Sequence, residues 1–101
     1  MMKYIVCTTA EADKDLVELA HYKAHQLQAP HAAAAYMKEL VQTIQQLELN
    51  PDSIAFSDSE YIQQNYGVDA RHAAFENVVI IFLIDGGFVH ISRVIPKSLV
   101  L

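Results

Sequence analysis

Apolar residues recur along this chain in two rhythms, a strand-like one near the end and a helical one in the middle. Val78 to Ile84 is seven successive apolar residues, rich in β-branched and aromatic types, closed by Asp85-Gly86-Gly87 and followed by Phe88 to Val94. Glycine tolerates the positive φ that primed turns demand, so the stretch predicts a β-hairpin. A strand with one wet face alternates apolar and polar residues; Val78 to Ile84 does not, which predicts cover on both of its faces. Earlier, Ala33, Tyr36, Met37, Leu40, Val41, Ile44 and Leu47 recur at spacings of three and four, the stripe of a core-facing helix. Pro30 suits its first position and Asn50-Pro51-Asp52-Ser53 stops it. A helix before Gln28-Ala29-Pro30 carries Leu16, Leu19, Ala20 and Leu27 on one stripe, with Lys23 and Ala24 between them. Thr8 and Glu11 fit a capping box at its start, and Glu11, Asp13 and Asp15 load the first turn, where the helix dipole favours anions. Ala32 to Ala35 would let the two helices approach closely as an antiparallel pair.

The remaining segments complete the order β-α-α-β-β-β. Lys3 to Thr8 predicts a short first strand. Residues 51–66 show no clear period and predict a long connection with one helical turn near Ser59 to Gln64. From Tyr66 the pattern turns to strand again, and Arg71-His72-Ala73-Ala74-Phe75 is expected to pair with Val78 to Ile84 through Glu76-Asn77. The tail leaves the sheet at Pro96. Together these predict a single two-layer α+β domain over residues 1–101, with a helical hairpin on one face of an antiparallel sheet. The sheet is expected from residues near 71–75, 78–84 and 88–94, with residues near 2–8 added.

Composition narrows the function. The chain has 101 residues, 52% hydrophobic and 19% charged, which excludes disorder. No apolar run approaches the roughly 20 residues of a membrane span, and the N-terminal run is too short for a signal peptide, so a cytoplasmic protein is expected. A single cysteine, Cys7, cannot form an internal disulfide and reads as a small core residue. The net charge of −5 is uneven: residues 1–64 hold nine acidic and four basic residues, and residues 65–101 three of each. No cluster of Lys and Arg suits a nucleic-acid backbone, so direct nucleic-acid binding is not expected.

Several stretches resemble the RelE/ParE superfamily of toxin-antitoxin toxins, which includes plasmid stabilisation proteins, and most of all its ParE branch. They are Ala12-Asp13-Lys14-Asp15-Leu16, Ala29-Pro30-His31-Ala32-Ala33, Leu40 to Leu47 closing on Asn50-Pro51, then Gly67, Arg71, and Ile80-Ile81-Phe82 through Asp85-Gly86 to Val89-His90-Ile91-Ser92-Arg93-Val94. The resemblance implies a toxin neutralised by a cognate antitoxin whose tail lies across it. RelE-like members cut messenger RNA on the ribosome; ParE-like members poison DNA gyrase without being nucleases. Tyrosines often found at the ends of the family's central strand are replaced here by Val78 and Phe82, and a histidine common after the last strand falls at Pro96.

Ribonucleolytic transfer needs a base, an acid and cations for the phosphorane. The sheet half offers Arg71, His72, His90, Arg93 and Lys97. Strand alternation puts Arg71 and His72 on opposite faces, and likewise His90 and Arg93. Arg71, which matches a frequent strand arginine of the resembling family, is the one catalytic candidate. Arg93 is expected to pair with Asp69, Glu76 or an antitoxin acid. His21, His25 and His31 lack a third ligand of suitable phase and read as solvated side chains; Tyr22 and Tyr36 read as helix-interface residues, and neither metal nor cofactor is expected. Contact with a partner is expected through Arg71, Ile80, Phe82, Arg93, Lys97, Leu99 and Leu101, the partner being an antitoxin, gyrase or a second copy of the chain. Three functions follow: a ParE-like toxin acting by protein contact, a RelE-like ribonuclease, and a non-toxic relative serving as a binding scaffold. The sequence does not separate the first from the third, and whether a small antitoxin-like reading frame lies beside this one is the observation that bears on them most.

Overall fold

Thr9 begins the first helix by accepting a hydrogen bond from the Ala12 N–H on its side-chain oxygen, at 3.1 Å. The cap thus falls one residue beyond the expected Thr8, and with Ala12 three positions on, the expected reciprocal box with Glu11 does not form; the Thr8 hydroxyl instead donates to Asp13 at 2.5 Å. The computed structural model describes residues 3–101 of the chain. Strand β1 is Ile5–Thr8, followed by helices α1 (Ala10–Leu27) and α2 (Pro30–Gln45). A third helix, α3 (Glu60–Tyr66), precedes strands β2 (Arg71–Phe75), β3 (Val78–Asp85) and β4 (Phe88–Pro96). Short 3₁₀ turns occupy Gln46–Glu48, Pro51–Ser53 and Lys97–Leu99. Residue 2, included in the expected first strand, lies outside the described residues.

The sheet order is β1-β4-β3-β2. β2–β3 and β3–β4 are antiparallel hairpins, as the turn signals predict, but β1 runs parallel to β4, with Val6 beside Val89. The sheet is therefore mixed. The strand expected from Tyr66 starts only at Arg71, because α3 runs through Tyr66 and a turn follows it.

Both helices of the hairpin lie on one face. Ala12, Tyr36, Leu40, Ile44 and Leu47 pack there on Val78, Ile80 and Phe82 of β3 and on Val89, Ile91 and Val94 of β4. The second face of β3 is covered too, by the chain itself. Ile62 of α3 and Val100 of the tail pack with Ala70 on Val79, Ile81 and Ile95. Cover on both faces explains the unbroken apolar run of β3.

A β-bulge shapes β4. Ile81 pairs with Arg93 and Phe82 with Ile91, which leaves Ser92 as an extra residue between them. Parity changes at that point. His90, opposite Leu83, and Arg93, opposite Ile81, therefore share the second face, contrary to simple alternation. Beyond Ile91, β4 outruns β1 and the start of α1 takes over its free edge: the Thr9 hydroxyl donates to the Ser92 carbonyl and the Val94 N–H donates to Asp15.

Candidate functional site

Arg71 opens β2 opposite Phe82, so it lies on the helix side, at the outer strand of the sheet. Its Nη1 donates to the carbonyls of Ile54 and Asp52, and its guanidinium carbon sits 4.3 Å from the centre of the Phe56 ring. Phe56 makes the single bridge to Arg71 that pins the 51–57 segment to the sheet, yet stays 56% exposed. The guanidinium thus lies over an exposed aromatic ring and is held within the chain by backbone carbonyls.

His72 faces the other way, opposite Ile81. Its Nδ1 lies 2.7 Å from the Oγ of buried Ser57, which also accepts the Ser59 N–H at 3.1 Å. Ser59 in turn caps α3 and donates to the Val100 carbonyl, so one polar chain ties β2, α3 and the tail together.

Arg93 does not meet Asp69 or Glu76. Its Nε and Nη2 donate to the two carboxylate oxygens of Asp15 at 2.7 and 3.0 Å, and Nη1 reaches the Tyr66 hydroxyl at 3.4 Å. The hydrogen bond with Asp15 holds the guanidinium above its already high ordinary pKa; burial opposes this, and the carboxylate charge adds to it. His72, Ile81 and Arg93 form one row across three strands, which puts the two polar residues roughly 10 Å apart with a buried isoleucine between them. In the next row, the His90 Nδ1 is 3.3 Å from the sulfur of Cys7 and its ring stacks on Phe88. Cys7 is half-buried beside His90 and lies outside both core clusters.

The hydrophobic contacts expected at Ile80 and Phe82 require correction. Both residues are fully buried beneath α1 and α2, with no surface to offer a partner. Exposed apolar residues lie elsewhere. In the tail, Leu99 and Leu101 are 60% and 58% exposed beside exposed Lys97. An open depression there is lined by Glu76, Asn77, Pro96, Lys97, Ser98 and Leu101. The Lys97 N–H donates to Asn77, which places this surface at the far end of β2 from Arg71. On the second face, Ile5 and Phe88 stay exposed where α3 and the tail do not reach. Phe56, Ile5 and Phe88 were missed in the sequence because isolated apolar residues flank turns throughout the chain.

Tyr36 is buried at the helix interface as expected, with the Lys23 ammonium 4.3 Å from its ring centre, but Tyr22 is exposed. His21, His25 and His31 are exposed, and no group of three metal-ligating side chains occurs among the described residues. No helix among the described residues is long and apolar enough to cross a membrane.

These features define a small α+β domain with dispersed polar groups and exposed apolar anchors near both ends of β2, as a protein-binding module would have. The chain belongs to the ParE toxin family of type II toxin-antitoxin systems (parDE), whose family model matches residues 6–98. Two solved structures share the fold. One, of the chromosomal ParDE toxin-antitoxin system from P. aeruginosa, has a TM-score of 0.76 at 19% identity, over 93% of this chain and 96% of that one. The other, the toxin-antitoxin complex RelBE2 from Mycobacterium tuberculosis, has a TM-score of 0.64 at 22% identity, over 97% of this chain and 95% of that one. No curated protein matches the chain.

Proposed function

We propose that this ParE-type toxin acts in the cytoplasm by gripping a protein target, with DNA gyrase as the candidate, and that its cognate antitoxin neutralises it by covering Arg71 and the Lys97, Leu99 and Leu101 surface. One observation carries the reading: of the five polar groups in the sheet half that ribonuclease chemistry would use, His72 is held by Ser57, His90 by Cys7 and Arg93 by Asp15, and Arg71 faces away from all three. One guanidinium cannot serve as base, acid and phosphate clamp together. Exposed apolar residues beside isolated charges suit protein recognition, where a few buried anchors carry most of the affinity.

The test is controlled expression with and without the product of the adjacent reading frame. Expected are growth arrest with intact transcripts, altered plasmid supercoiling, and rescue by the antitoxin. Codon-phased transcript cleavage that disappears in Arg71→Ala would overturn the reading in favour of a ribonuclease. Absence of any growth effect would favour the non-toxic scaffold.

A further inference from the structure

Arg71 is the only Lys or Arg between Lys38 and Arg93, and its guanidinium is engaged on one side only. Both of its hydrogen bonds within the chain leave from Nη1, toward the carbonyls of Asp52 and Ile54. A guanidinium carries five N–H donors, and Nε–H with one Nη2–H forms a parallel side-on fork. That fork is unused. Nε is buried without a hydrogen-bond partner, the one side-chain N or O atom in that condition among the described residues. No ion pair among the described residues includes Arg71. A buried donor left unmet, on a charged group, is a standing cost to the fold that a ligand would relieve.

The surroundings indicate which ligand. Phe56 lies against the guanidinium and is itself 56% exposed, so an apolar wall stands beside the unpaired fork. Asp52, Asp58 and Asp69 all precede Arg71, on the loop whose carbonyls hold it and on the turn that leads into β2, and are exposed, with no second Lys or Arg among residues 39–92 to offset them. A polyanion such as a nucleic-acid backbone would meet net repulsion here. A single carboxylate is balanced by one guanidinium and matches the side-on fork with two parallel hydrogen bonds. Among the described residues, only the Phe56 bridge extends the sheet outside β2, so the edge past Arg71, with the small side chains of Ala73 and Ala74, carries no further strand.

We propose that the side-on fork of Arg71 receives one Asp or Glu carboxylate from the docking segment of the antitoxin, with Phe56 packing beside that side chain. The proposal rests on the antitoxin reading above. Because Nε is closed to water in the free chain, the 52–56 segment gives way slightly as the carboxylate seats.

Two measurements test it. The first follows the Arg71 Nε–H signal by NMR, assigned by its loss in Arg71→Lys, while the full chain is titrated with N-acetylglutamic acid α-amide, with its glutamine counterpart, or with inorganic phosphate. A saturable shift with the carboxylate, absent with glutamine and about tenfold weaker or more with phosphate, is expected. A response to phosphate alone, or to none of the three, overturns the proposal. The second measures binding of the purified product of the adjacent reading frame to the wild type, Arg71→Lys and Arg71→Ala, with folding checked by circular dichroism. Lysine keeps the charge and removes the fork, so an affinity loss of about tenfold or more is expected for Arg71→Lys. Equal affinities for the wild type and Arg71→Lys overturn the fork and leave the antitoxin reading standing. If that product fails to bind the wild type, the antitoxin reading falls and the NMR titration still decides the fork.

Discussion

Asp15 ties helix α1 to strand β4 through three hydrogen bonds, and replacing it should show how much the two elements depend on one carboxylate. Asp15→Ala removes two hydrogen bonds from Arg93, at 2.7 and 3.0 Å, and one from the Val94 N–H at 2.9 Å. The Asp15 side chain is 9% exposed and that of Arg93 33%. The freed guanidinium can therefore recover part of its hydration, whereas the Val94 N–H loses its acceptor on the open edge of β4. Bonds to charged groups contribute roughly 1.5–3 kcal/mol each before that recovery, so a net loss of about 2–4 kcal/mol is expected. For a domain of this size that lowers Tm by roughly 10–25 °C. Asp15→Asn keeps one acceptor oxygen without the charge and should cost about 1–2 kcal/mol. Urea unfolding followed by circular dichroism, with the m-value unchanged, gives both figures. Because the folded-state pKa of Arg93 is raised, its contribution is fully present below the ordinary arginine range and lost only as pH rises through the folded value. The gap between wild type and variant should thus be flat from about pH 6 to 10. An Asp15→Ala protein within about 0.5 kcal/mol of wild type would refute the account of the β4 edge.

Burial, with the charge of Glu76 adding to it, raises the Tyr36 pKa above 10.0, so the stability this group contributes is complete below that pH and lost above it. Alkaline unfolding titrations should show a steeper fall above pH 10 in the wild type than in Tyr36→Phe; equal slopes would remove Tyr36 as the cause. Leu40, with no exposed surface, should cost about 2–5 kcal/mol on replacement by Ala, while Val41, one position on and 38% exposed, should cost well under half as much. Similar losses would mean the helix stripe is misassigned. Glu76 holds φ at 52°, so Glu76→Gly should gain about 0.5–1 kcal/mol in thermal unfolding. Gly86 has φ 58° and open space around its would-be Cβ, so Gly86→Ala should lose a similar amount through the backbone alone.

The α2 stripe was legible because a long helix repeats its signal. Ala33, Tyr36, Leu40, Ile44 and Leu47 are buried where period alone places them, Met37 is half-buried, and Val41, assigned to the same stripe, is exposed at its edge. The unbroken β3 run correctly indicated cover on both faces, but not what covers the second one. That role falls to a seven-residue helix with a single buried residue, Ile62, too short to show a period. Adjacent threonines made the α1 cap ambiguous by one position. The bulge at Ser92 left no mark in composition, yet it decides the face on which Arg93 lies. Nothing local links Arg93 to Asp15, which stand 78 residues apart. Ile80 and Phe82 were read as partner contacts because the helix-covered face could not be chosen from an all-apolar strand. Arg71 was found through its position in the strand pattern, while its unpaired Nε depends on a loop whose path no pattern specifies.

The parallel pairing of β1 with β4 sets the order in which the chain can assemble. Residues 5–8 find their only strand partner in residues 88–91, whereas the helical hairpin and the β2–β3 and β3–β4 hairpins close over short loops. During synthesis the first strand therefore waits, unpaired, until residues 88–91 have emerged. Closing so long a loop is slow relative to the local steps and comes last. The Thr9 contacts to Ile91 and Ser92 wait with it, and so does the Asp15 clasp on Arg93 and Val94. A ribosome stalled before residue 88 would release a chain with its helices formed and its apolar stripe uncovered, a species for chaperones and proteases rather than a shortened toxin.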